Sequence, residues 1–211
     1  MRVQLRVVAG SLRGRKLNCN VGPDLRPTPQ MVREALFSIL GNAVPDRPFY
    51  DVFAGTGANG FEAISRGASF AYFVERDFRL AQEIDNHLKA FGVGRQAQVV
   101  RTDAYRWAGQ WFPPKEPVNI FVSPPFADFQ DRLEDLMTLM ANLQRKAADE
   151  SVLVLQTEKI AGQERWAQFA DWEERRYGRN LLWLWVKEHP AAEGDSIGSA
   201  TPLSSPEPGE S

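Results

Sequence analysis

The sequence predicts an α/β fold: a mostly parallel, seven-stranded sheet with helices on both faces, ending in an antiparallel hairpin. Three observations carry this. From residue 49 onward, strand-sized apolar runs alternate with amphipathic stretches of helical length, the pattern of consecutive β-α-β units. The first of these runs passes through Asp51-Val52-Phe53-Ala54-Gly55-Thr56-Gly57-Ala58-Asn59-Gly60 into a helix. The last two, 172–177 and 180–187, flank Gly178-Arg179, a hairpin turn.

Taken in order, strands are expected at 49–53, 70–75, 97–101, 118–122 and 151–157, with helices at about 59–66, 79–91 and 129–146. Ahead of them lies a small hairpin and helix. Val3, Leu5, Val7 and Leu17 suggest short strands around a basic loop, Gly10 to Lys16. Thr28 is the expected N-cap of the helix and Pro29 its first residue, with Val32, Leu36, Ile39 and Leu40 on one face and Gly41 as the stop. Three regions follow: a basic extension, 1–47; the α/β domain, 48–189; and an acidic tail, 190–211, expected to be disordered because it offers almost nothing large and apolar to bury.

Composition narrows the class. Hydrophobic residues make up 43% and charged residues 25% of the 211, the balance of a globular domain. No apolar run approaches the ~18 residues that span a bilayer, and no secretory signal is apparent, so a cytoplasmic, membrane-free setting is expected. Cys19 is the sole cysteine, which excludes an intrachain disulfide, and His87 and His189 are too few for a histidine-based metal site. No metal is expected, and a monomer is. The net charge of −2 hides an asymmetry. Residues 1–47 hold eight Lys and Arg against Asp24, Glu34 and Asp46, whereas the tail holds only acids. A polyanion is expected at the basic end.

The chemistry is carried by four segments expected at the carboxyl ends of the first four parallel strands, where ligands bind in such sheets. Ser123-Pro124-Pro125-Phe126 presents a hydroxyl, acceptor carbonyls without backbone donors at the prolines, and an aromatic face. That set suits a flat, conjugated –NH2. The glycine loop can approach a ligand closely, and Glu75 can accept from both hydroxyls of a ribose. Gly55, Gly57 and Gly60 also satisfy the dinucleotide pattern of a dehydrogenase. Asp51 at the head of the loop and the Pro-Pro-Phe turn favour a cationic, amino-acid-bearing cofactor such as S-adenosylmethionine instead. Asp103, followed by Ala104, is placed either to accept from an adenine amine or to cap a helix running through Trp107.

With these segments in place, the outline resembles a class I, Rossmann-like methyltransferase. More specifically, Arg6-Val7-Val8-Ala9-Gly10, Arg13-Gly14-Arg15-Lys16-Leu17, Leu25-Arg26-Pro27-Thr28 and Val32-Arg33-Glu34-Ala35-Leu36-Phe37, together with the later motifs, resemble the RsmD family of bacterial 16S rRNA (guanine-N2)-methyltransferases. The resemblance implies S-adenosyl-L-methionine as cofactor and 16S rRNA, free or in the assembling small subunit, as partner. It implies a cofactor site of Asp51, Phe53, Ala54, Gly55, Thr56, Gly57, Glu75, Arg76, Asp103, Ala104 and Ser123, and a target-base site of Ser123, Pro124, Pro125 and Phe126. Arg13, Arg15, Lys16, Arg26 and Arg33 are the expected RNA contacts. The chain departs from the family at Ser123, where aspartate or asparagine is usual. Two other readings therefore stay open: a noncatalytic RNA-binding or assembly factor, and an amino-methyltransferase acting on another base or an amide.

Overall fold

The computed structural model describes residues 1–23, 25–158 and 171–188. The expected acidic tail lies outside the described residues. An N-terminal hairpin, β1 (Arg2–Arg6) and β2 (Lys16–Asn20), precedes helix α1 (Gln30–Leu40). The alternating part then runs β3 (Phe49–Val52), α2 (Ala58–Ser65), β4 (Ala71–Val74), α3 (Phe78–Phe91), β5 (Ala97–Val100), α4 (Ala104–Gln110) and β6 (Asn119–Val122). It continues through α5 (Asp128–Asp131), α6 (Leu133–Lys146), β7 (Val152–Glu158), β8 (Glu173–Tyr177) and β9 (Asn180–Val186).

The seven strands of the main sheet are ordered β5-β4-β3-β6-β7-β9-β8. β3 to β7 are parallel, and β9 runs antiparallel between β7 and β8. All four residues of β3 and of β6 are buried, which explains why these strands read as unbroken apolar runs: both faces are covered. α1, α2 and α3 cover one face through Phe37, Phe61 and Ile84 against Phe49, Phe73 and Phe121. α4 and α6 cover the other, packing Ala108, Leu136 and Met140 on Tyr50, Val52 and Ile120. The chain walks from β3 out to β5 and returns past β3 to β6, so a crevice opens between the carboxyl ends of β3 and β6.

Two local expectations need correction. Thr28 does not cap α1; Pro29 occupies the N-cap, and its carbonyl accepts the first helical bond from Arg33 N. The hydroxyl of Thr28 is turned inward to other partners. The helix expected at 129–146 is two, broken at Arg132, whose φ of −136° interrupts the helical path.

Arg33 is the larger correction. It is 1% exposed and faces no solvent. Its guanidinium donates to Arg6 O (2.9 Å) and Thr28 O (3.3 Å), and its Nε lies 3.8 Å from Glu62 Oε2. Glu62, also buried, accepts from Val8 N, Ala9 N and Arg66 Nε. Arg33 and Glu62 thus bind the hairpin and the Arg26–Thr28 segment to the sheet domain. A guanidinium spent on two carbonyls in the interior is not available to RNA.

Candidate active site

Residues from all the expected segments line one cavity of about 320 Å³ at the crevice, a volume suited to a small organic ligand. Phe53, Ala54, Gly55 and Thr56 form one side, Glu75 and Arg76 a second, Ala104 a third, and Ser123 to Phe126 the fourth. The N-terminal extension adds Leu25, Arg26 and Thr28.

The loop after β3 is shaped by strain and close approach. Phe53 holds φ at 65°, uncommon for a bulky residue, and its ring meets Tyr105 edge-on at 5.4 Å. A Cβ on Gly60 would lie 2.2 Å from Phe73 Cε1, so only glycine lets α2 sit this close to β4.

Two carboxylates organise the loop. Glu75 Oε2 accepts from Gly55 N at 2.7 Å, and its Oε1 from Asp77 N at 2.7 Å. Burial pushes its carboxyl above the ordinary range, against the pull of these amides. Each oxygen keeps a further lone pair for a ligand hydroxyl. Asp51 is buried beneath the loop and accepts from Gly60 N at 3.0 Å through Oδ2. Burial raises its carboxyl to about 7.

Asp51, Gly57 and Asp103 do not line the cavity, unlike the other expected cofactor residues. Asp51 and Gly57 support the loop from behind, Gly57 as the left-handed N-cap of α2. Asp103 caps α4 by accepting from Tyr105 N and Arg106 N, and lies 3.9 Å from Arg76 and 3.6 Å from Arg132. Its helix-capping role is thus realised in the fold.

The Ser-Pro-Pro-Phe turn is well supported. Pro125 O and Phe126 O accept from Asp128 N and Phe129 N, which leaves the Pro124 carbonyl without a donor among the described residues. Asp128 accepts from Tyr105 Oη at 2.5 Å, and the Arg132 guanidinium stacks 3.9 Å from the Tyr105 ring centre. Burial and the Asp128 carboxylate push the Tyr105 phenol well up.

Sequence reasoning missed a polar network beside this turn. Gln156, on β7, is buried and lines the cavity. Its Oε1 accepts from Thr28 Oγ1 at 3.0 Å and from Ser123 Oγ at 3.4 Å, and its Nε2 donates to Asn180 Oδ1 at 3.2 Å. Asn59 Nδ2 donates to Thr28 Oγ1 at 3.3 Å. A glutamine inside the apolar run Val152-Leu153-Val154-Leu155 was the available signal, since a buried amide demands partners.

The expected RNA contacts are not clustered. Arg26 stands at the cavity, 3.9 Å from Glu158, which also binds Arg179 at 3.2 Å. Arg13, Arg15 and Lys16 are exposed at the far end of the hairpin. β2 descends along α3, with Asn20 bonded to Glu83, Asn18 to His87 and Arg15 stacked over Phe91. α3 starts at the cavity, where Asp77 and Leu80 line it, so Arg15 lies roughly 20 Å away at 1.5 Å per helical residue.

The donor set fits S-adenosylmethionine. Asn59 Oδ1, in a residue that lines the cavity, is buried without a hydrogen-bond partner among the described residues, an acceptor suited to an ammonium group. Among the described residues no cluster of three or more His, Cys, Asp or Glu could hold a metal ion, and no helix is long and apolar enough to cross a membrane.

Comparison with known proteins agrees with this architecture. A family model described as Conserved hypothetical protein 95 matches residues 5–186. Ribosomal RNA small subunit methyltransferase D of Escherichia coli (strain K12) is 37% identical over 155 residues, covering 74% of this chain and 75% of that one. The Bacillus subtilis (strain 168) protein YlbH is 36% identical over 147 residues, covering 69% and 78%. A solved hypothetical protein from Thermus thermophilus superposes with a TM-score of 0.65 at 29% identity, over 87% of this chain and 99% of its own. In fold alone, an RNA methyltransferase from Salinibacter ruber in complex with S-adenosyl-L-homocysteine matches with a TM-score of 0.57 at 14% identity, over 80% and 98%. The chain has the class I methyltransferase fold and belongs to the Conserved hypothetical protein 95 family, the RsmD family.

Proposed function

We propose that this protein is an S-adenosylmethionine-dependent methyltransferase that modifies the exocyclic N2 amine of a guanine in 16S rRNA, acting as a monomer in the cytoplasm. The observation that carries the reading is the shared cavity: the glycine loop, Glu75 and the Ser123–Phe126 turn face one space. The relatives named ribosomal RNA small subunit methyltransferase D support the substrate class.

S-adenosylmethionine supplies a methyl group on a sulfonium, with its own leaving group. The residues here bind and orient. Glu75 would hold the ribose hydroxyls, the backbone of Ala54 to Thr56 would pack against the adenosine, and Asn59 Oδ1 would accept from the ammonium. Phe126 would stack on the target base. The Pro124 carbonyl and Ser123 Oγ would accept the two amine hydrogens, so that the nitrogen lone pair, otherwise delocalised into the ring, turns toward the methyl. Most of the acceleration then comes from alignment. The base would enter unpaired or flipped from a helix. Arg26 would meet phosphate near the target, while Arg13, Arg15 and Lys16 would meet it roughly 20 Å away, which calls for a structured RNA.

The test is transfer of labelled methyl to 16S rRNA, free and within small subunits, from cells lacking the gene. Incorporation into the RNA is expected. A protein that binds S-adenosylhomocysteine and the RNA but transfers nothing would be an assembly factor, against this proposal.

A further inference from the structure

We infer that Gln156 is a positioning residue: its side-chain carbonyl takes the proton of Ser123, so that the hydroxyl offers only lone pairs to the target amine. The inference rests on the methyltransferase reading and explains how serine can serve where a carboxylate or amide is usual.

A hydroxyl has one hydrogen and two lone pairs. Pointed at an –NH2, its hydrogen would oppose the amine hydrogens rather than accept them. Ser123 therefore needs an acceptor elsewhere, and the fold provides one. β6 and β7 pair in parallel with Val122 opposite Leu155, so Ser123 and Gln156 emerge side by side at the carboxyl ends. Gln156 Oε1 lies 3.4 Å from Ser123 Oγ.

The amide is held in this orientation. Its Nε2 donates to Asn180 Oδ1 on β9, with Oε1 toward Ser123. Ser123 Oγ makes no hydrogen bond to Thr28; the Thr28 oxygen receives Asn59 Nδ2, and its single hydrogen goes to the same Gln156 Oε1. Gln156, Thr28, Asn59 and Asn180 are all buried, so water does not compete freely for these groups.

The same geometry explains why aspartate would be poorly served here. A carboxylate at position 123 would face the lone pairs of Oε1. Rotating the amide to present Nε2 would break its bond to Asn180 Oδ1.

The experiment is a double-mutant cycle of Ser123→Ala and Gln156→Leu, read in methyl transfer to 16S rRNA, with dissociation constants for S-adenosylhomocysteine and denaturation midpoints measured alongside. Gln156→Leu should lower kcat about five- to tenfold, the worth of one neutral hydrogen bond, with KM for RNA and the S-adenosylhomocysteine dissociation constant within twofold of wild type. In the Ser123→Ala background the same change should cost less than twofold, because no proton remains to be placed. Full additivity, or a kcat loss matched by loss of cofactor-product binding, would make Gln156 merely structural and overturn the inference. An unchanged kcat in Gln156→Leu would also overturn it. A wild-type protein that transfers no methyl would instead overturn the proposed function, and this inference with it.

Discussion

Replacing Arg33 by Met should unfasten the N-terminal extension rather than weaken RNA binding. The side chain is 1% exposed and gives two charge-assisted hydrogen bonds, to Arg6 O and Thr28 O. Methionine fills similar space but leaves both carbonyls without that donor. It also removes one cation from Glu62, which keeps Arg66 Nε and two backbone amides. Burial already pulls the Arg33 guanidinium below its ordinary range, with Glu62 the main opposing influence, so the site stabilises the charge only in part. The buried Thr28 carbonyl left unpaired costs about 1–3 kcal/mol, and the part-buried Arg6 carbonyl less. The distance of 3.8 Å to Glu62 is too long to add a full buried ion pair. A net loss of about 3 kcal/mol follows, at the lower end of the ~3–5 kcal/mol for breaking a tight buried pair. Urea denaturation would show it as a lower midpoint at unchanged m-value. Lys should not rescue the loss, since one ammonium cannot span two carbonyls set for a planar fork. An Arg33→Met variant as stable as wild type to within about 0.5 kcal/mol, with a weakened salt dependence of RNA binding, would refute this structural role.

Three other outcomes are expected. Changing Arg13, Arg15 and Lys16 together to Ala should reduce the slope of log K against log salt by about 2–3, with S-adenosylhomocysteine affinity unchanged by calorimetry; an unchanged slope would remove these residues from the interface. Asp51→Asn should stabilise the protein increasingly as pH rises from about 4 to about 7. The folded carboxyl titrates at about 7 against an ordinary 3.8, so its favourable contribution is complete at low pH and is lost as pH rises through 7. The advantage of the variant should thus grow by about 1.4 kcal/mol per pH unit from about pH 4 to about pH 7, to a few kcal/mol, and level off above it; a pH-independent difference would contradict this. Gly60→Ala should cost about 1–3 kcal/mol by overpacking Phe73, measured as a lower melting temperature.

Most of the fold was legible because its signals are local. β3 and β6 read as strands from their apolar runs, and α3 from its stripe of Leu80, Ile84 and Leu88. The convergence of the glycine loop, Glu75 and Ser123–Phe126 followed from parallel topology. What failed was the assignment of direction. Arg33 and Thr28 look solvent-facing in a polar, proline-rich stretch, and only the packing of that stretch against Glu62 and Gln156 turns them inward. Gln156 belongs to no motif, and its partners lie 33, 24 and 128 residues away along the chain. The basic loop is exposed, but its distance from the cavity is set by how the hairpin lies along α3.

The identity of the methylated nucleoside tests the account most directly. Small-subunit RNA from cells lacking the gene, treated with the protein and S-adenosylmethionine, would be digested to nucleosides and resolved by mass spectrometry against standards. N2-methylguanosine is the expected product. Methyl groups on cytosine N4 or adenine N6, or on no nucleoside at all, would contradict a guanine amine held by Ser123 and Pro124 over the Phe126 ring.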